Sequence, residues 1–175
     1  FFNLTLLAIW AAVRYTVGGG AYGYSGWGDL FVFAFFGLLA VLGSSVLFIK
    51  QIDYFLLFPA TTVGLLSVGV LNLNNMRDAP QDALIGKRTI AVRLGFSQAK
   101  MYHYILILAA LFSAVVFAVL RADALWSWSF ILAFVPLGMH LLRVRQISEP
   151  SVFDGELKKV ALSTFLYALL MAFAF

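Results

Sequence analysis

Tyr54-Phe55-Leu56-Leu57-Phe58-Pro59-Ala60-Thr61-Thr62-Val63-Gly64-Leu65-Leu66-Ser67-Val68-Gly69-Val70-Leu71-Asn72-Leu73 carries no charge, and Asn74-Asn75-Met76-Arg77-Asp78-Ala79-Pro80-Gln81-Asp82 follows it directly. An apolar run of about 20 residues is what an α-helix needs to cross a bilayer. A strand of that composition would leave backbone polar groups unpaired in lipid, so helix is the only sensible reading. The run then delivers polar groups at steps of four: Asn74, Asp78 and Asp82.

The rest of the chain repeats the apolar pattern. Apolar residues make up 63% of the 175 and charged residues 11%, against about 25% charged in a soluble domain. Mean hydropathy is +0.96. Six spans can be drawn, at 1–17, 30–49, 54–76, 101–120, 125–142 and 159–175. The expectation is an all-α, multi-pass membrane protein, with residues 1–175 forming a single transmembrane domain. The start at Phe1 and the apolar end predict a piece of a longer chain. The first span has no basic n-region or small-residue cleavage site, so it reads as a membrane helix rather than a signal peptide. With no cysteine, disulfides and thiolate metal sites are excluded.

Lys and Arg sort by side. Arg14, Arg77, Lys87, Arg88, Arg93, Lys100, Arg143, Arg145, Lys158 and Lys159 fall on one side of the six-span drawing, and Lys50 and Arg121 on the other. The positive-inside rule then puts the Asp78/Asp82 loop in the cytoplasm. This bias also explains the basic net charge without invoking nucleic acid.

On a helix, residues four apart share a face, so Asn74, Asp78 and Asp82 would line one wall. Pro80 disfavours helical geometry at Ala79. The helix is therefore expected to end or kink between the aspartates, with Asp82 on a loop over the same site. Such a set suits Mg²⁺, which takes one or two carboxylates together with phosphate and water. The plain alternative is a solvated helix terminus in which Asp78 pairs with Arg77 or Lys87. Behind it, Lys87, Arg88 and Arg93 in Gly86-Lys87-Arg88-Thr89-Ile90-Ala91-Val92-Arg93-Leu94-Gly95 suit a diphosphate or anionic lipid.

Tyr22, Tyr24 and Trp27, in the glycine-rich loop from Tyr15 to Asp29, fit an aromatic acceptor or an interfacial belt. Asp29 opens the second span as a possible N-cap. His103 and His140 stand at span ends, at no metal or triad spacing, and read as structural or interfacial. Asn3-Leu4-Thr5 matches a glycosylation pattern inside an apolar span and is set aside.

Asn74-x3-Asp78-x3-Asp82, with Gly86-Lys87-Arg88-Thr89 and Val92-Arg93-Leu94-Gly95, resembles the second aspartate-rich motif of the UbiA superfamily of intramembrane prenyltransferases. Tyr15-Thr16-x-Gly18 and Tyr22-Gly23-Tyr24-x-Gly26-x-Gly28-Asp29 look like the branch that prenylates 1,4-dihydroxy-2-naphthoate. The resemblance covers the whole chain and implies the last six helices of a nine-helix bundle. It implies Asp78 and Asp82 as Mg²⁺ ligands, with Asn74 beside them, and Lys87, Arg88 and Arg93 on the diphosphate of a polyprenyl donor. Tyr22, Tyr24 and Asp29 would then meet the aromatic acceptor, and the reaction would serve menaquinone synthesis in the cytoplasmic membrane. The family's first aspartate-rich motif is absent, so half of the metal site is missing. Relatives often carry a basic residue and a proline in the Gly19–Ala21 region, where this chain has Gly-Gly-Ala; a phosphate contact there does not carry over. Three rivals are an enzyme of the same fold using another acceptor, such as 4-hydroxybenzoate or a chlorophyllide, a CDP-alcohol phosphotransferase, and a transporter. The second needs a denser Asp/Gly/Ala/Arg pattern, and the third predicts ionisable residues at span centres.

Overall fold

The computed structural model describes residues 2–18 and 21–175. Gly19 and Gly20, in the region where the resemblance implies a basic residue and a proline, lie outside the described residues. The described residues form helices α1 (Phe2–Thr16), α2 (Gly28–Ile49), α3 (Tyr54–Leu84), α4 (Ile90–Leu94), α5 (Phe96–Arg121), α6 (Leu125–Gln146) and α7 (Pro150–Ala174). Among them α2, α3, α5, α6 and α7 are long and apolar enough to cross a membrane, and Phe2–Tyr15 is a shorter apolar helix. Five of the six expected spans thus meet the length of a crossing.

α3 is the hub, packed against α2, α5 and α7. Its buried Leu66, Leu73 and Met76 meet Ile107, Ala110 and Ala114 of α5 and Val160 of α7. Tyr167 of α7 and Phe130 of α6, also buried, meet edge to face with ring centroids 5.7 Å apart. Lipid tails are as apolar as leucine, so small residues and cross-helix hydrogen bonds carry association. Both are present. Ser113 Oγ donates to the Phe58 carbonyl at 2.9 Å, and Asn72 Nδ2 to the Ala99 carbonyl at 3.1 Å. Gly37 of α2 lies on α3 so closely that an added Cβ would stand 2.6 Å from the Ala60 carbonyl oxygen and 2.7 Å from Gly64 Cα. At this contact α2 widens into a π-helical turn, Phe33–Leu39.

Three expectations need correction. α3 does not end at Pro80 and Asp82 is not on a loop: the helix runs on to Leu84, with Pro80 inside and Asp82 buried. Proline's fixed φ suits a helix, and its cost is the lost bond to the Met76 carbonyl and the clash there. With only one turn left beyond Pro80, tertiary packing outweighs that cost. Second, α7 starts at Pro150 rather than at 159, so the expected loop Arg143–Lys159 is mostly helix. Asp154 and Glu156 lie in the first turn of its α-helical part, where the helix dipole favours negative charge. Third, Asp29 does not cap α2. Trp27 holds the N-cap position and Asp29 is already the second helical residue.

Candidate active site

The polar end of α3 gathers the candidate residues around Arg77. Its Nε donates to Asp78 Oδ1 at 2.7 Å, and its Nη2 to Asp78 Oδ2 at 3.0 Å and to Asn74 Oδ1 at 2.8 Å. Its Nη1 reaches across to Asp154 Oδ1 of α7 at 2.6 Å. Asn74 Nδ2 completes the ring by donating to Asp78 Oδ2 at 3.3 Å. Helical spacing does put Asn74 and Asp78 on one wall, and it also brings them under the guanidinium. The plain alternative, Asp78 paired with Arg77, describes this geometry. Asp154 was missed by the sequence reading. Its signal, an acidic residue one turn before an apolar run, is common to helix starts of every kind.

Asp82 is separated from this ring and buried. Lys87 Nζ stands 2.9 Å from its Oδ2 and 5.9 Å from the centre of the Tyr24 ring. Arg88 is exposed, while its backbone N–H donates to the Tyr24 carbonyl at 2.7 Å. Arg93 clamps the glycine loop instead of standing free. Its Nε donates to the Arg88 carbonyl at 3.1 Å and its Nη2 to the Ser25 carbonyl at 2.7 Å. Gly26, between these groups at φ +80°, could not carry a Cβ comfortably, because that atom would fall 3.2 Å from the Arg88 carbonyl. The Gly/Tyr loop and the basic run are therefore one unit.

The acceptor candidates divide. Tyr22 donates its hydroxyl to the Ala11 carbonyl at 2.6 Å and stacks on Phe31 at 3.9 Å. Burial, with the Tyr15 phenol beside it, raises its pKa above the ordinary phenol value, which suits a neutral donor. It lines an apolar cavity of about 470 Å³ with Tyr15, Phe31 and Phe35. A second cavity of about 450 Å³ has Asn74 in its wall beside Val70, Leu71 and Leu157. Asp29 belongs to neither. It accepts from Tyr102 Oη at 2.9 Å and lines a separate cavity of about 290 Å³ with Gly26 and Ile90. Tyr24 is exposed.

Asn74, Asp78 and Asp82 offer hard oxygen donors, the chemistry that Mg²⁺ prefers, and the Asn74–Asp78 pair already surrounds a cationic group. The fit is partial: among the described residues no group of three or more His, Cys, Asp or Glu is placed to hold a metal ion. Elsewhere the two histidines meet inside the bundle. His103 Nε2 and His140 Nε2 lie 2.8 Å apart, and His140 Nδ1 lies 2.7 Å from Glu156 Oε2.

Fold and site together define a multi-pass helical membrane protein with an oxygen-rich cation cluster at one end of its bundle and apolar cavities behind it. Residues 1–169 match the UbiA prenyltransferase family, and the chain belongs to that family. It is 42% identical over 172 residues, 98% of its own length, to a 1,4-dihydroxy-2-naphthoate octaprenyltransferase of Haemophilus influenzae. An Escherichia coli protein of the same name is 44% identical over 133 residues, and one of Mycobacterium tuberculosis 44% over 97. These matches cover 76% and 55% of this chain and 43% and 33% of the two relatives. The chain spans 56% of the Haemophilus protein. No solved structure matches significantly.

Proposed function

We propose that the protein transfers a polyprenyl group from a polyprenyl diphosphate to 1,4-dihydroxy-2-naphthoate, releasing diphosphate and CO2. The observation that carries this is the Asn74–Asp78 pair, with Asn74 in the wall of an apolar cavity. It stands in a chain similar over nearly its whole length to a protein named for that reaction. Polar head chemistry at the end of an apolar cleft suits an amphiphile with a diphosphate at one end.

The allylic C–O bond breaks and its electron pair leaves with the diphosphate. The ring carbon that bears the carboxylate attacks the allylic carbon, forming the new C–C bond. The carbon–carboxylate bond then breaks, and its pair restores the aromatic ring as CO2 departs. Arg88 is exposed and reaches the departing diphosphate. Lys87 offsets Asp82 in the structure and turns to the same anion. Arg93 holds the Gly/Tyr loop and adds charge from a fixed place. Tyr22 and Tyr24 are the proposed acceptor contacts, with Asp29 behind the loop. Asp78, Asp82 and Asn74 would hold Mg²⁺ together with the family's first aspartate-rich motif, which these 175 residues do not contain. When bound, Mg²⁺ supplies Lewis-acid charge and orientation at the diphosphate. The site faces the cytoplasm across the cytoplasmic membrane, as the Lys and Arg distribution favours.

The test is an acceptor panel with the full-length protein in detergent or liposomes. Prenylation of dihydroxynaphthoate in preference to 4-hydroxybenzoate, lost in Asp78→Asn, is the expected outcome. Near-normal turnover in that variant, or a preference for another acceptor, overturns the reading.

A further inference from the structure

The two larger cavities share two lining residues, Val32 and Phe36. We propose that these side chains form a wall separating the polyprenyl chain from the aromatic acceptor, and that Phe36 decides which substrates fit side by side. This rests on the prenyl-transfer reading.

The occupants follow from the linings. The cavity of about 450 Å³ has Asn74, bonded to Asp78, in its wall, with aliphatic Val70, Leu71 and Leu157 around it. That is a place for a flexible hydrocarbon chain running from a head group held at Asp78. The cavity of about 470 Å³ is lined by Tyr15, Tyr22, Phe31 and Phe35 together with small alanines. Tyr22 and Phe31 already stack at 3.9 Å, and ring faces of this kind favour a flat aromatic guest.

Phe36 is 60% exposed, so core packing does not hold it. The backbone does. Its neighbour Gly37 is pressed onto Ala60 and Gly64, where no Cβ fits, and both residues lie in the π-helical turn Phe33–Leu39. π turns are rare and recur at functional sites. Val32 and Phe36 are four residues apart and so share one face of α2, where both line the two cavities and make a two-residue partition. Val32 is one turn from the start of α2 and shares its cavity wall with Leu71 and Asn74, so the two substrates meet at that end.

The experiment uses the full-length enzyme, a non-reactive polyprenyl thiolodiphosphate and dihydroxynaphthoate, read by acceptor fluorescence. In the unsubstituted enzyme, saturating analogue should leave the acceptor Kd unchanged. In Phe36→Ala the cavities join, and the analogue should weaken acceptor binding about tenfold, a coupling of ~1.4 kcal/mol. Phe36→Leu keeps a partition and should behave as the unsubstituted enzyme. Independent binding in Phe36→Ala, or competition without any substitution, overturns the wall while leaving prenyl transfer standing. Failure of the unsubstituted enzyme to bind either ligand overturns both.

Discussion

Single residues at the polar end of α3 show why a carboxylate near lipid needs a partner. Asp82 is buried, and Lys87 is the cation beside it. Removing one member of a buried pair costs about 3 kcal/mol or more, because the other is left uncompensated. Lys87→Met in the full-length protein should therefore lower the thermal midpoint clearly. Lys87→Met with Asp82→Leu should recover much of that loss, and a double-mutant cycle on thermal unfolding checks it. Arg77 differs, because its pair with Asp78 is about a third exposed. Such pairs contribute roughly 0.2–1 kcal/mol, so Arg77→Gln should unfold almost as the parent does. It also takes the guanidinium off both oxygens of Asp78, leaving only the 3.3 Å bond from Asn74 on Oδ2, so Mn²⁺ titration should show binding tighter by a few-fold. Unchanged or weaker binding would mean that Arg77 does not compete for those oxygens. The wall of Asn74 and Asp78 was legible from spacing. Arg77 as its centre was not, since spacing gives a face and not the direction of a long side chain.

Among the elements, α5, α6 and α7 are joined by a polar chain that no sequence spacing shows. Glu156 is buried, accepts from Lys159 Nζ at 2.6 Å and lies 3.2 Å from Arg143 Nε. A carboxylate in that company is an acceptor, so His140 Nδ1 donates to it; in a neutral His140 the Nε2 then accepts from His103 Nε2. The assignment ends on His103 Nδ1, a buried acceptor with no protein partner among the described residues. His103 and His140 are 37 residues apart, and only the antiparallel return of α6 against α5 brings them together. Both are buried inside the bundle rather than at its interface, and the span-end position gave no hint of their contact. Breaking this chain should cost far more than losing one hydroxyl bond. Glu156→Ala is expected to destabilise by about 3 kcal/mol, and Ser113→Ala by about 0.6 kcal/mol. Equal losses in thermal unfolding of the two variants would remove the relay from the forces that hold α5, α6 and α7 together. The same limit explains Pro80: a local rule predicts a break, while the packing of α3 on its neighbours is a property of the assembled bundle.

Across the whole molecule, charge distribution carries more than any single motif. The bundle has a polar end, where Asp78, Asp82, Lys87, Arg93 and Asp154 cluster, and an opposite end, where Arg121 Nη1 lies 3.6 Å from Asp53 Oδ2. Apolar runs and loop charges were sufficient to anticipate this division, because both depend on composition and not on contacts. The limits of the runs were less legible: charged residues at helix ends count against a span by composition, yet they extend α3 to Leu84 and start α7 at Pro150. The proposed orientation rests on ten Lys and Arg on the polar side against two on the other, since translocating cationic loops is disfavoured. These 175 residues contain no cysteine, so a single cysteine placed among them reports on this directly. A single cysteine at Glu149, in the α6–α7 connection, should react with a membrane-impermeant maleimide only after cells are opened. One at Asp123, between α5 and α6, should react from the periplasmic or outer face of intact cells. The reverse pattern would turn the site outward, away from a donor and acceptor delivered from the cytoplasm. The proposed chemistry needs the polar end inside, so this labelling tests the topology and the function together.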